Sequence, residues 1–443
     1  MVTAKEILRT QEDLECPKGF LLCHSVRSTL AKDFSPLRTS GDEIVKEDKT
    51  MKITEVKAVR IQFPAGLPGR HERAVGRSAS WTQDAEVANP MSRYPVYKRH
   101  RSLWTPKWGE VWCKVTLEDG TWGLGQTANG RPVAAVIDDH LGPLMVGHDI
   151  MAGEKLADML FRLTKPYGST GLASYAVSAI DLALWDARGK HLGQPVYALL
   201  GGLQKERIQC YATGNDVEWY QELGFKAFKL ACPYGPTDGI EGLKKNEEFV
   251  ARAREIIGPE AELMLDCWMA FDVEYTVRLA ETLRPYRLKW MEECLIPEDI
   301  DGHLALRQRL PWQTLATGEH WYTHVPFLWA ASHRVADILQ PDINWCGGAT
   351  TCRRIADAAD AAGIAVILHA GGNTVFGQHF SFATPSVPWC EFFVASDPGV
   401  PLDKGWRYPG QSLPVEGWIT PNNAPGFGLE VDPAWIEPYW GTE

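Results

Sequence analysis

No Cys-x-x-Cys pair occurs in this chain; its ten cysteines are scattered singly from Cys16 to Cys390. That spacing excludes zinc-ribbon and disulfide-scaffold folds, and reduced thiols in a cytoplasmic setting are the expectation. Long apolar runs are also missing: nothing approaches the roughly 18 uninterrupted apolar residues of a membrane-spanning helix. Positive charge is in deficit, with 45 Lys and Arg against 56 Asp and Glu and a formal net charge of -11. The balance leaves no electrostatic footprint for nucleic acid or an anionic membrane, so neither is expected as a partner. An anionic substrate would need a local positive centre. The first 50 residues have neither the apolar core of a secretory signal nor the Arg-rich, acid-poor composition of a transit peptide. They read as an N-terminal extension ahead of patterned sequence that starts at Met51.

What is present is a globular composition, 45% hydrophobic and 23% charged over 443 residues. This is enough for a barrel of about 250 residues with a second domain beside it. Ile53, Val56, Ala58, Val59 and Ile61 mark a strand, and Val111 to Leu117 followed by Glu118-Asp119-Gly120 reads as a hairpin with its turn. A loop-rich segment, Pro64 to Lys107, lies between them. Val177, Ile180, Ala183, Leu184 and Ala187 fall at helical spacing within Ser174 to His191, and Gly193 with Pro195 ends that helix. The pattern is that of an α+β domain.

After Gly202 short apolar runs alternate with amphipathic stretches. The runs are Phe225 to Leu230, Leu263 to Leu265, Leu288 to Met291, Thr314 to Ala316, Ile338 to Leu339 and Ala365 to Leu368. Segments such as Glu274 to Leu283 and Cys352 to Ala362 between them look helical. Such alternation predicts parallel βαβ units in a barrel or an open sheet.

At the ends of those runs stand Asp266, Glu292, Glu319, Asp342 and His369, spaced by 26, 27, 23 and 27 residues. One βα repeat has about this length. In a parallel barrel every strand's carboxyl end opens on the same face, so these side chains would converge on one mouth. Each alone has an ordinary reading: a solvated loop acid, a helix N-cap, or for His369 a satisfied core histidine. Together they suit a hard divalent cation, Mg²⁺ with Mn²⁺ as a substitute, held by carboxylates with positions left open for substrate oxygens.

Leu265-Asp266-Cys267-Trp268-Met269, Lys289-Trp290-Met291-Glu292-Glu293-Cys294, Gly318-Glu319-His320 and Gln340-Pro341-Asp342 resemble the metal-ligand and acid/base strands of the mandelate racemase branch of the enolase superfamily. Gly193-Gln194-Pro195 with Leu199-Leu200-Gly201-Gly202 is similar to that superfamily's junction into its barrel. The likeness runs from about Met51 to Pro425-Gly426-Phe427-Gly428. Tyr211-Ala212-Thr213-Gly214, Pro90-Met91-Ser92 and Trp345-Cys346-Gly347-Gly348 narrow it to the acid-sugar dehydratases.

The resemblance implies an α/β fold, a modified (β/α)7β TIM-like barrel over about 191–400, with an α+β N-terminal capping domain at 51–190. A C-terminal segment, 401–443, would pack on the cap. It further implies that Asp266, Glu292 and Glu319 bind Mg²⁺, that His369 is the acid/base and Asp342 its partner, and that His71, Arg101, His320 and Glu391 contact a small sugar-acid substrate. A homo-oligomer, an octamer, would be its quaternary state. One departure bears on the reaction. Many superfamily members end the second barrel strand in Lys-x-Lys, where this chain has Lys229-Leu230-Ala231. Alanine cannot exchange protons, which disfavours a two-base racemase. Another enzyme on the same scaffold and a catalytically silent binding protein are the remaining readings.

Overall fold

Glycine placement sets how the N-terminal layers meet. A computed structural model describes residues 50–67, 87–98 and 104–441. In it strands β1 (Ile53–Ile61), β2 (Glu110–Leu117) and β3 (Trp122–Ala128) form an antiparallel meander, with β2 and β3 joined at the Glu118-Asp119-Gly120 turn. Helix α1 (Leu172–His191) lies against β3. A side chain at Gly123 or Gly125 would put its Cβ 2.2 Å from Ala187 N or 2.1 Å from Ala179 O, so only glycine admits the helix this close. The residues of α1 from Ala173 to Gly189 are almost all buried, because a second element packs on its far side. The helix therefore carries no polar stripe of the surface kind.

Beyond α1 the chain enters a run of parallel strands. These are β4 (Ile208–Thr213), β5 (Ala227–Ala231), β6 (Glu262–Asp266), β7 (Met291–Glu292), β8 (Leu315–Thr317), β9 (Ile338–Leu339), β10 (Ala365–Val366) and β11 (Cys390–Phe393). One helix separates each consecutive pair: α2 (Val217–Glu222), α3 (Gly239–Ile257), α4 (Val273–Leu283), α5 (Ile300–Arg309), α6 (Val325–His333), α7 (Gly348–Ala361) and α8 (Val375–Ala383). The order is (β/α)7β. Sequential strands are neighbours from β4 to β10, and β11 pairs in parallel with β4, which curls the sheet round. At the seam between its ends, Gly372 N donates to Glu391 O at 2.7 Å. Tyr211, Ala227, Met264, Trp290, Ala316, Ile338 and Ile367 fill the interior as a separate apolar cluster. Outside the ring, β12 (Trp418–Ile419) pairs antiparallel with β4, and β13 (Ile436–Pro438) adds to the free edge of β1.

The expected apolar runs coincide with β5 to β10, although Leu288, Lys289 and Trp290 precede β7. Two strands, β4 and β11, were not foreseen. Ile208–Thr213 carries Gln209, Tyr211 and Thr213 among its six residues and Cys390–Phe393 carries Glu391, so neither shows an unbroken apolar run. Among the described residues no helix is long and apolar enough to cross a membrane. The eight described cysteines are free thiols and all are buried.

Candidate active site at the carboxyl ends of the strands

Because the strands are parallel, the expected residues emerge on one face. Asp266 and Glu292 are the last residues of β6 and β7, Glu319 follows β8, and Asp342 and His369 follow β9 and β10. Asp266, Glu292 and Glu319 bring one carboxylate oxygen each to within 4.8 Å of the others. An all-oxygen, triply acidic set of this compactness fits a hard cation such as Mg²⁺ and does not suit a soft metal. Burial holds Asp266 up to about 6 and Glu319 up to about 7, with further like charges beside each.

His369 faces this group. Its Nδ1 lies 2.6 Å from Asp342 Oδ2 and its Nε2 lies 3.2 Å from Glu319 Oε1. Burial alone would lower the imidazole, but Glu319 and the hydrogen bond to Asp342 carry it up to about 10. Asp342 Oδ1 accepts from Asn344 N at 2.7 Å, so the carboxylate is fixed from its other side as well. The indole of Trp345 sits 4.8 Å from the His369 ring.

His320 points into the same mouth, held by Glu293, which is 1% exposed; Nδ1 lies 2.8 Å from Glu293 Oε1 and the backbone N donates to the same oxygen at 3.1 Å. Burial opposes charge on His320, yet Glu293 and Glu319 raise it to about 9. Glu391 has both oxygens occupied: Thr213 Oγ1 donates to Oε1 at 2.5 Å and Ala370 N to Oε2 at 2.8 Å. Despite burial, Lys229 and His369 keep Glu391 down at about 2. His71 and Arg101 lie outside the described residues.

Lys229 begins the Lys229-Leu230-Ala231 segment at the end of β5. In the fold it is a buried cation among acids: Nζ bonds Glu292 Oε1, lies 2.8 Å from Glu391 Oε1 and 3.7 Å from Asp266 Oδ2. Burial would push the ammonium down, but those carboxylates hold it well above its ordinary value. Glu292 Oε2 takes Trp290 Nε1 at 2.9 Å and Gln340 Nε2 at 2.7 Å. The sequence signals for Lys229 are a basic residue inside an apolar strand and its place as the first lysine of a Lys-x-Lys pattern whose second position is Ala231 here. Glu293, the neighbour of Glu292 in a Glu-Glu pair, has no separate signal.

A cavity of about 400 Å³ opens over these groups, its polar wall made by Lys229, Asp266, Glu319, His369 and Glu391 and its apolar wall by Val87, Ala231, Trp268, Trp345 and Phe393. Backbone in the left-handed region follows three of the site residues: Trp268 (φ 42°) and Met269 (φ 60°) after Asp266, Glu293 (φ 47°) after Glu292, and Ala370 (φ 50°) after His369. Non-glycine residues persist there only where their surroundings over-determine them, as at functional sites. The arrangement brings together a carboxylate set able to hold a cation and an oriented imidazole, equipment suited to removing a proton next to a carboxylate.

Comparison with known proteins agrees with the geometry. Residues 90–201 match the mandelate racemase / muconate lactonizing enzyme N-terminal domain, and residues 214–435 match the enolase C-terminal domain-like family. The chain is 39% identical over 388 residues to an L-rhamnonate dehydratase of Saccharopolyspora erythraea, covering 86% of this chain and 97% of that one. A crystal structure of rhamnonate dehydratase from Gibberella zeae complexed with Mg superposes with a TM-score of 0.81 at 32% identity, covering 89% of this chain and 98% of that one. A 3,6-anhydro-D-galactonate cycloisomerase from Zobellia galactanivorans gives 0.64 at 27% identity, covering 74% and 94%. Family models, a relative of nearly full length and the strand-end carboxylates all agree: the chain belongs to the enolase superfamily, in its mandelate racemase / muconate lactonizing enzyme branch.

Proposed function

We propose that this chain is a Mg²⁺-dependent hydro-lyase that converts L-rhamnonate to 2-keto-3-deoxy-L-rhamnonate and water. The observation that carries the reading is the His369–Asp342 pair set beside the Asp266, Glu292 and Glu319 oxygens at one mouth. The substrate itself is supported by the rhamnonate dehydratases among the relatives.

Asp266, Glu292 and Glu319 would hold the cation. When bound, Mg²⁺ supplies the positive charge that stabilises a second negative charge on a substrate carboxylate; enolase-superfamily sites with a Lys or His base and Mg²⁺ are themselves a worked case of this chemistry. Asp342, accepting from Nδ1–H, fixes the tautomer; with the charge of Glu319 taken up by a bound cation, His369 would lose its hold on the second proton and be left with the Nε2 lone pair toward the cavity. Nε2 takes the C2 proton, and the C2–H electron pair passes into the bond between C1 and C2. The same Nε2–H then protonates the 3-hydroxyl as the C3–O bond breaks, releasing water and leaving an enol that becomes the 2-keto-3-deoxy acid. Ala231 puts no second base on the other face, so both transfers occur on one face. His71, Arg101, His320 and Glu391 would contact the substrate, with Arg101 as a cationic partner for an anion.

The resemblance further supports a cytoplasmic homo-oligomer, an octamer, which light scattering after size exclusion would measure. Incubation with L-rhamnonate and Mg²⁺ should yield a 2-keto-3-deoxy acid. A panel including L-mannonate and L-lyxonate decides the preference, because an apolar pocket wall rejects an added hydroxyl only weakly. Turnover of neither L-rhamnonate nor any other aldonate would refute the proposal.

A further inference from the structure

Asp342 has two oxygens and two masters. Oδ2 meets His369 Nδ1, while Oδ1 accepts from the backbone N–H of Asn344. The aim of the imidazole therefore depends on where the Asn344 peptide stands. Asn344 is gripped by the cap sheet through its carbonyl and its side chain: Thr127 Oγ1 donates to Asn344 O at 2.6 Å, and Asn344 Nδ2 donates to Gln126 O at 2.7 Å and to Gln126 Oε1 at 3.1 Å. Thr127 is wholly buried and Asn344 is 6% exposed, so neither set of bonds competes with bulk water.

The grip continues along the segment that joins β9 to α7. Gly347 N donates to Ser178 Oγ at 2.7 Å, and Thr350 donates from N and Oγ1 to the two oxygens of Asp181 at 3.0 and 2.6 Å. Ser178 and Asp181 belong to α1. The same glycine face of β3 that lets α1 close in brings Thr127 to this segment, since Thr127 follows Gly123 and Gly125 at a period of two. Trp345, one residue on from Asn344, rests on the His369 ring.

We infer that Thr127 and Asn344 are positioning residues for the proton transfer, through which the cap sheet sets the orientation of the Asp342–His369 pair. The cap sheet then holds the acid/base machinery of the barrel in register. Small displacements matter here, because a misplacement of about 1 Å can cost on the order of a hundredfold in rate. The choice of assay, and only that, rests on the proposed dehydratase reading.

The test compares Thr127→Val, which keeps shape and strand preference but loses the hydroxyl, with Thr127→Ser, which keeps it, and with Asn344→Ala. Steady-state kinetics at saturating Mg²⁺, thermal midpoints and crystal structures of the variants are measured together. Thr127→Val and Asn344→Ala should lower kcat about ten- to a hundredfold with KM within about twofold of wild type, and Thr127→Ser should restore kcat. Their structures should show the Asp342–His369 hydrogen bond lengthened or lost. Unchanged kcat per folded enzyme beside a lowered midpoint makes both residues merely structural and overturns the inference; a rise confined to KM does the same. Wild-type enzyme that turns over no aldonate would sink the substrate reading instead. The variant structures then decide alone, and an unaltered Asp342–His369 pair in both variants overturns the inference.

Discussion

Ala231 ends β5 as the parallel register partner of Asp266 on β6, so a methyl group stands beside a proposed metal ligand where a second base would have to be. On the proposed mechanism, proton removal and return both fall to His369. His369→Asn should lose C2 deuterium exchange and keto-acid formation together, each by roughly 10²- to 10⁴-fold. Incubation with L-rhamnonate in D₂O follows both. Exchange that survives without elimination would identify another residue as the base.

Burial and mutual proximity hold Asp266 and Glu319 above the ordinary carboxylate range. A raised value means that these groups retain protons which a cation has to displace as the pH falls. Mg²⁺ affinity should therefore be weaker below about pH 7 and level off above it, with protons released on binding. Calorimetry in buffers of different ionisation enthalpy measures the release. EDTA should abolish turnover, Mg²⁺ should restore it, and Asp266→Asn should mimic chelation while leaving the fold intact. Full activity in chelated enzyme would count decisively against the cation.

Lys229 is the buried cation between Glu292 and Glu391. Lys229→Met leaves those carboxylates without it, a loss of about 3–5 kcal/mol in the metal-free protein at neutral pH. Mg²⁺ should recover part of this, because a cation at Glu292 replaces some of the missing charge. Urea unfolding with and without Mg²⁺ reads both numbers, and an unaltered midpoint would show that Lys229 does not hold the acids.

Arg101→Ala should raise KM about tenfold or more by removing a charge-assisted contact with the substrate, with Mg²⁺ affinity close to wild type. Unchanged KM across an aldonate series would show that Arg101 makes no contact with the substrate.

At Gly125 a methyl group would meet Ala179 O at 2.1 Å. Gly125→Ala should cost about 1–3 kcal/mol or more as α1 is pushed off β3. Chemical denaturation provides the value, and a neutral result would mean that the helix shifts freely.

The barrel was legible because strands buried on both faces leave apolar runs, and the candidate site was legible because five of the six runs are followed by an acid or a histidine. β4 and β11 were missed since their inward residues, Tyr211 and Glu391 among them, are polar or aromatic. The addition of β13 to β1 joins residues almost at opposite ends of the described chain, which no local periodicity reports. The surroundings of Lys229 were equally hidden: its partners Asp266, Glu292 and Glu391 come from separate strands, so only closure of the sheet brings them to one nitrogen. The left-handed backbone at Trp268, Glu293 and Ala370 lacked the glycine that usually announces it.

Each reactive group is delivered by its own strand, and the ladders that hold the strands are made of backbone alone. The fold thereby keeps inheritance of shape separate from inheritance of reactivity. A lineage can exchange the residue at one strand end, as at Ala231, without rewriting any pairing that makes the ring. A dehydratase and a cycloisomerase sharing this architecture are the outcome such separation permits, with each strand end open to selection on its own.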